Sequence, residues 1–210
     1  MTATQKRSLL LGITVATLAA VFLFPPIAQP LSFHHFADAR SLWSVPNAGN
    51  VLSNIPFVLI CCYGIAVTAS ASVPWPIRWT YITLFIGVVL TGVGSAYYHW
   101  NANNDTLVWD RIPMTIVFMS FLSATLAELV NRPLGVRLLL PLVVLGVSSV
   151  WWWHYTETLG RGDLRLYFWV QFYPNAGDPP PVMVVLCAKC EGDPAQPDLD
   201  RDLVCDRQGI

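Results

Sequence analysis

Long runs of apolar residues, separated by short polar segments, dominate the chain as far as position 155. A helix needs about 20 consecutive apolar residues to cross the roughly 30 Å hydrocarbon core of a bilayer. Five runs of about this length occur, and the segments between them carry Pro and Asn, which are typical of turns. The pattern therefore predicts five membrane spans, at about Ser8–Gln29, Asn50–Ser70, Trp79–His99, Thr106–Val130 and Leu138–Tyr155.

The pattern changes after the fifth span. Leu166–Pro174 has the composition of a helix start, but residues 175–210 contain seven acidic residues, three basic residues and five Pro. Such a segment cannot continue a helix through lipid, because every backbone polar group there needs an internal partner. We therefore expect an all-α, polytopic transmembrane helix bundle over residues 1–174, with five full spans and a sixth-helix stub. We expect the charged tail, residues 175–210, to be disordered.

Basic residues near the span ends predict the orientation, because Lys and Arg are enriched on the cytoplasmic side. One side receives Lys6, Arg7, Arg78, Arg132 and Arg137, and the other receives Arg40, Arg161 and Arg165. We therefore expect a cytoplasmic N-terminus, with the end of the third span facing outward. The first apolar run exceeds the usual length of a signal-peptide core and has no small-residue cleavage pattern, so we expect it to be a retained anchor.

Composition excludes two broad classes. Only 12% of the residues are charged, against roughly 25% in soluble domains, and the mean hydropathy is +0.50. This excludes an ordinary soluble domain, and a net charge of −1 offers no basic surface for nucleic acid.

Cys61 and Cys62 lie in an apolar run, where we expect both to be buried. Cys187 and Cys190 form an isolated CxxC, which is weak evidence for a site.

Ionisable groups inside spans are costly and are therefore default candidates for function. Ser95 and His99 close the third span, and their four-residue spacing places them on one helical face. Asp110 and Arg111 lie one turn into the fourth span. Since consecutive spans run antiparallel, we expect Asp110 to lie close in depth to Ser95 and His99.

These residue types suit metal-assisted hydrolysis. A neutral imidazole binds zinc, and a nearby carboxylate can orient the zinc-bound water, whose pKa falls to about 7. A serine hydroxyl can donate to the oxyanion that forms when a carbonyl is attacked. A catalytic zinc usually has three protein ligands, whereas the remaining imidazoles of this chain are those of His34, His35 and His154.

Other interpretations of the same residues stay open. His99 fits an interfacial aromatic belt, and so does His154, although His154 could also reach the cluster. Asp110 and Arg111 fit an interfacial ion pair, and Ser95 fits an interhelical hydrogen bond. A proton relay through His99 and Asp110 would indicate a transporter, but we find no inverted repeats.

Polar residues outside the candidate cluster have simpler interpretations. We expect His34 and His35 to be solvated in the outer loop, and Glu128 to snorkel to the interface. A polar stripe where the second span begins predicts hydrogen bonds between helices. The stripe consists of Asn47, Asn50, Ser53 and Asn54.

Three motifs together resemble the alkaline ceramidase family, which belongs to a membrane hydrolase superfamily that also includes the progestin and adipoQ receptors. They are NVLSNIPF at 50–57, GVGSAYYHW at 92–100 and DRIPM at 110–114, and the resemblance covers about residues 36–174. It implies a seven-helix amidase that cleaves a ceramide-like lipid amide to a fatty acid and a sphingoid-type amine. It also implies that His99 and two further His of a C-terminal H-x-x-x-H bind zinc, that Asp110 holds the catalytic water, and that Ser95 stabilises the oxyanion.

The chain departs from this family pattern at its C-terminal end. No His follows His154, so the H-x-x-x-H is absent. A frameshift near Pro174 would explain both this loss and the change in composition. We therefore expect a truncated or frameshifted member in which zinc is weakly held or absent. The alternative is a non-catalytic, receptor-like or remnant membrane protein. The bacterial character of the run 162–174 points to a bacterial inner membrane.

Overall fold

The structure is a computed structural model that describes residues 3–70 and 75–174. These residues form helices joined by short irregular segments, and they contain no β-strand beyond an isolated Leu42–Val45 bridge. The expected all-α fold is confirmed, whereas the predicted tail, residues 175–210, lies outside the described residues. The helices are α1 (Ala3–Phe22), α2 (Ala48–Leu52), α3 (Ile55–Ser70), α4 (Trp75–Trp100), α5 (Asn104–Leu129), α6 (Arg132–Thr158) and α7 (Arg165–Phe172), with a 3-10 turn at Leu31–His34.

Four helical segments in the described part of the chain are long and apolar enough to cross a membrane. They are Ala48–Ser70, Trp75–Trp100, Asn104–Glu128 and Arg132–Thr158. They correspond to the second to fifth predicted spans, and they identify the chain as an integral membrane protein.

The first predicted span differs from the observed helix. Its apolar helical part covers only Ser8–Phe22, whereas the pattern predicted a span as far as Gln29. Pro25 explains the early end, because a proline disfavours the helical conformation in the residue before it and has no N–H to continue the ladder. The chain then continues as an irregular segment across the end of the bundle.

Two prolines that the sequence presents as helix breakers lie inside first turns instead. Pro76 is the second residue of α4, and Pro133 is the second residue of α6. The first turn of a helix tolerates proline because its N–H groups have no intrahelical acceptor. The side chain of Asn131 caps α6 by accepting a hydrogen bond from the Leu134 N–H at 3.0 Å. The helix therefore begins six residues before the predicted Leu138.

Helix α5 lies between α4 and α6 and packs against both, while α7 packs against α1, α5 and α6. Small residues allow the backbones to approach closely, as is usual in membranes. A Cβ atom on Gly135 of α6 would overlap the backbone of Ala127 of α5. Beside this contact, the Ser123 hydroxyl donates to the Gly135 carbonyl at 2.9 Å. Helices α5 and α6 are thereby fixed to each other near their connection.

The opposite end of the bundle holds a buried cluster with three aromatic residues among its seven members, and we call it the aromatic end. The C-terminal ends of α4 and α6 meet the N-terminal ends of α5 and α7 there, and the segment 24–36 covers them. The cluster consists of Tyr98, Leu107, Val108, Val150, Trp153, Leu164 and Tyr167. All the candidate site residues of the sequence lie at or near this end.

Candidate functional site at the aromatic end

Helices α4 and α5 approach each other closely at Gly94. A Cβ atom on Gly94 would overlap the carbonyl oxygen of Trp109 and would lie 3.3 Å from the backbone nitrogen of Asp110. Only glycine fits at this position without moving one of the two backbones. The close approach sets the next residue of α4, Ser95, against the next residue of α5, Asp110.

The carbonyl that Gly94 faces is also unusual within its own helix. Pro113 lies four residues after Trp109 inside α5, and a proline has no N–H to donate to the carbonyl four residues earlier. The Trp109 carbonyl therefore lacks its normal i+4 donor and is presented to the α4 backbone. Gly94 of the GVGSAYYHW motif and Pro113 of the DRIPM motif thus both act on the Trp109 carbonyl.

The structure brings Ser95 and Asp110 together, as the sequence predicted. The Ser95 hydroxyl and the Asp110 carboxylate interact across the contact between α4 and α5, and both residues are partly buried there. Polar groups held together at membrane depth satisfy each other where no water is available. Asp110 and Ser95 therefore form a preorganised polar pair in an apolar environment.

His99 lies one turn beyond Ser95 on the same face of α4, and its ring is half-buried. Its Nδ1 atom is buried and has no hydrogen-bond partner among the described residues. The Phe36 ring packs against it with 4.5 Å between the ring centroids. From the start of α2, the Asn47 side-chain amide donates to the His99 carbonyl at 2.8 Å. His99 is thus held on two sides and keeps one nitrogen available for a ligand.

The other imidazoles of the chain do not join His99. His34 was expected to be solvated, but it is half-buried and bonded through both ring nitrogens. Its Nδ1 lies 2.9 Å from the Tyr98 hydroxyl, and its Nε2 lies 2.9 Å from the Asn104 side-chain oxygen. His154 pairs with Asp105 at 2.9 Å. These two imidazoles fasten the segment 24–36 and α6 to the start of α5.

Arg111 does not form the ion pair with Asp110 that the adjacent positions suggested. Its side chain lies on another face of α5 and is only 6% exposed. Its Nη2 donates to the Gln29 side-chain oxygen at 2.6 Å. Its guanidinium carbon lies 4.2 Å from the Trp153 ring centroid and 4.8 Å from that of Tyr167. Sequence reasoning missed this cluster because its members are far apart along the chain.

The connection between α6 and α7 supports that cluster from outside the spans. The Asp163 carboxylate accepts hydrogen bonds from the Arg165 guanidinium at 2.9 and 2.8 Å. These bonds hold the pKa of Asp163 below its usual range. A third nitrogen of Arg165 donates to the Phe24 carbonyl at 2.9 Å. This buried ion pair therefore joins the start of α7 to the segment that follows α1.

The polar stripe at the second span is only partly interhelical. Asn47 bonds α4, and Asn50 donates to the Asp38 carbonyl at 3.0 Å. Ser53 and Asn54 instead donate to the Asn50 carbonyl of their own segment, each at 2.8 Å. Short polar side chains often bond local backbone in this way. The interhelical prediction therefore holds for Asn47 and is wrong for Ser53 and Asn54, and also for Asn50, because Asp38 lies in an irregular segment.

Two further predictions lie far from the cluster. Glu128 is exposed, as expected of an interfacial group, and accepts a hydrogen bond from the Tyr81 hydroxyl. Of the two cysteines in the apolar run, Cys61 is buried but Cys62 is exposed on the bundle surface. The prediction that both are buried was therefore wrong for Cys62, because adjacent residues of a helix face different directions.

Comparison with known proteins gives a family match. Residues 43–163, more than half of the chain, match the family model named Ceramidase. No curated protein and no solved structure matches the chain significantly. The matched range includes Ser95, His99 and Asp110, together with Gly94 and Pro113. The chain therefore belongs to the Ceramidase family.

Proposed function

We propose that this protein is a membrane-embedded amide hydrolase of the ceramidase type, which cleaves a ceramide-like lipid amide into a fatty acid and a sphingoid-type amine. The contact between Ser95 and Asp110 carries the proposal. The family match supports it, because the matched range contains both residues. A preorganised polar pair is most effective in stabilising developing charge where water is excluded.

The two side chains can perform the proton transfers of hydrolysis. The Asp110 carboxylate takes a proton from water as the water oxygen bonds to the amide carbon. The Ser95 hydroxyl turns from Asp110 to donate to the oxyanion that forms. When the carbon–nitrogen bond breaks, Asp110 returns the proton to the leaving amine. The carboxyl group is unchanged at the end of the cycle.

Zinc is the cofactor that we propose for His99. The unpartnered, buried Nδ1 suits a metal ligand. Within residues 3–70 and 75–174, however, no group of three His, Cys, Asp or Glu side chains is placed to hold a metal, whereas a catalytic zinc needs about three such ligands. Among the described residues, His99 can therefore supply one zinc ligand, but the ligand set is incomplete. A bound zinc would supply Lewis-acid chemistry, and the proton transfers above involve protein groups alone.

The hydrolase proposal is tested on the full-length protein in mixed micelles with an N-acyl sphingosine. The measured product is the free amine. We expect Asp110→Asn to abolish release. Asp105→Asn is the matched control, because Asp105 begins the same helix but is exposed and pairs with His154. Equal release by the wild type and Asp110→Asn would overturn the proposal.

Zinc binding is tested by metal analysis of the same preparation. If His99 binds zinc, the wild type should contain zinc that His99→Ala loses and His35→Ala retains, since His35 is exposed. Folded wild-type protein without zinc would refute the cofactor.

A non-catalytic, receptor-like or remnant membrane protein is the second candidate function. The incomplete ligand set among the described residues favours it. The two measurements above separate the candidates, since this alternative requires folded protein that neither binds zinc at His99 nor releases amine. Translation of the downstream DNA in all three frames tests the predicted frameshift. A frame that encodes an H-x-x-x-H within an apolar segment would support it.

We also propose that the N-terminus is cytoplasmic and that the aromatic end faces outward across a bacterial inner membrane. Arg40 and Arg137 are both exposed and belong to opposite ends of the bundle. In a variant without native cysteines, a cysteine at position 40 should react with a membrane-impermeant thiol reagent in intact cells, and one at position 137 should not. The reverse result would invert the orientation.

A further inference from the structure

Arg111 is a buried cation surrounded by aromatic rings. Besides Trp153 and Tyr167, the Phe33 ring centroid lies 5.8 Å from its guanidinium carbon. The three rings belong to the 3-10 turn, α6 and α7, so the side chain reaches three separate elements from α5. Attraction between a guanidinium and aromatic faces strengthens when water is excluded. Arg111 is therefore the point at which these elements meet α5.

The hydrogen bonds around Arg111 extend this connection. Its bonding partner Gln29 also donates its backbone N–H to the Glu157 carboxylate at 3.1 Å. The same carboxylate oxygen accepts a hydrogen bond from the Trp153 indole at 3.1 Å. The buried cation thus has a carboxylate close by through a shared neighbour, which moderates the cost of burying the charge. The cluster links the segment 24–36 to α6 by charge-assisted contacts.

Arg111 and Asp110 are consecutive residues of one helix, so their side chains point in directions about 100° apart. Asp110 faces Ser95 of α4, while Arg111 faces α6 and α7. A helix that is fixed through Arg111 cannot rotate or slide without moving the Asp110 carboxylate away from Ser95. The Nη1 atom of Arg111 has no described partner, and we assign it no ligand.

We propose that Arg111 is a positioning residue that fixes the rotation of the first turns of α5 and thereby holds Asp110 against Ser95. This inference rests on the proposed function for its catalytic consequence. Its structural part can be measured without any activity. A merely stabilising role would lower resistance to unfolding without changing the Ser95 to Asp110 contact in the folded protein.

The test uses the full chain without native cysteines, with Ser95→Cys and Asp110→Cys as a reporter pair. A short bifunctional thiol reagent links the pair, and a maleimide-polymer mass shift counts the thiols that remain. We expect Arg111→Met to lower the extent of cross-linking at least severalfold in folded protein. Arg111→Lys should lower it measurably but by a smaller factor, because Lys keeps the charge and loses the planar guanidinium. Arg137→Met is the control, because Arg137 is exposed and lies at the opposite end of the bundle from the aromatic end.

Unchanged cross-linking in Arg111→Met would overturn the inference, and so would failure of the reporter pair to link in the Arg111 background. Size-exclusion chromatography selects folded protein for each comparison. Where Arg111→Met does not fold, the cross-linking of Arg111→Lys alone decides the test, since loss of the Gln29 bond should still reduce linking measurably.

In the chain with native Ser95 and Asp110, Arg111→Lys should lower kcat while KM stays unchanged. Arg111-dependent cross-linking in a protein that releases no amine would uphold the positioning role and refute the hydrolase.

Discussion

Replacing Gly94 with alanine should separate α4 from α5 where Ser95 meets Asp110. The added Cβ would overlap the carbonyl oxygen of Trp109 and come within 3.3 Å of the Asp110 backbone nitrogen. Both atoms belong to a helix backbone, so neither can turn aside as a flexible side chain could. Relief requires a relative movement of the two helices.

The expected effect on stability is modest and the effect on the reaction is large. Overpacking a close contact costs about 1–3 kcal/mol, while alanine gains up to about 1 kcal/mol over glycine in a helix. The net destabilisation is therefore up to about 2 kcal/mol. Displacing a catalytic group by about 1 Å can lower a rate by about 100-fold, so amine release should fall far more than the unfolding free energy.

Unfolding in mixed micelles with increasing SDS and release of amine from an N-acyl sphingosine measure the two effects. Gly12→Ala in α1 is the matched control, because its Cβ would meet nothing within 4 Å. We expect this control to be neutral or slightly more stable, with unchanged activity. If Gly94→Ala were as stable and as active as Gly12→Ala, the close approach would not position Ser95 and Asp110, and the reasoning would be refuted.

Three further predictions concern neighbouring groups. Ser95→Ala should lower kcat without releasing metal, because its hydroxyl acts on the oxyanion; unchanged kcat would contradict that role. Asp163→Asn should lower stability at pH 7 by about 1–3 kcal/mol. The lowered pKa of Asp163 means that its charged form stabilises the fold, so the difference from wild type should shrink below the ordinary value of 3.8 and vanish below the lowered pKa. A difference that persists at still lower pH would contradict the charge pairing with Arg165. Tyr98→Phe should lower the free energy of unfolding by about 1 kcal/mol through the lost bond to His34, and backbone hydrogen exchange in the segment 24–36 should become faster. Unchanged exchange would show that this bond does not hold the segment in place.

The pattern of apolar runs was sufficient to predict most helices of the bundle. A membrane helix forms its backbone hydrogen bonds within itself, so its position follows from the length and the apolar composition of the segment. The contact between Ser95 and Asp110 was also predictable, since the two residues lie at similar depths on consecutive antiparallel helices. The ends of the helices were harder to predict. Pro133 is a breaker within a helix but acceptable in its first turn, and only the Asn131 cap distinguishes the two cases.

The surroundings of Arg111 and His34 could not be predicted in the same way. Gln29 and Arg111 are 82 residues apart, and His34 and Tyr98 are 64 apart. Such contacts depend on where an irregular segment lies in three dimensions, and no periodic pattern encodes that path. Arg111 next to Asp110 suggested an ion pair from adjacency alone, whereas helical geometry turns the two side chains to different faces.

The hairpin of α4 and α5 has a consequence for the order of assembly. Ser95 and Asp110 are fifteen residues apart in the chain and are joined by a turn that Asn103 caps, so closing this loop requires little chain entropy. The ring cluster around Arg111 needs α7, which is synthesised some fifty residues later. During synthesis the reactive pair can therefore meet while α5 is still free to rotate, and the pair becomes fixed only when the last described helix docks. Docking of α7 would then be the step that fixes the site after the site has formed.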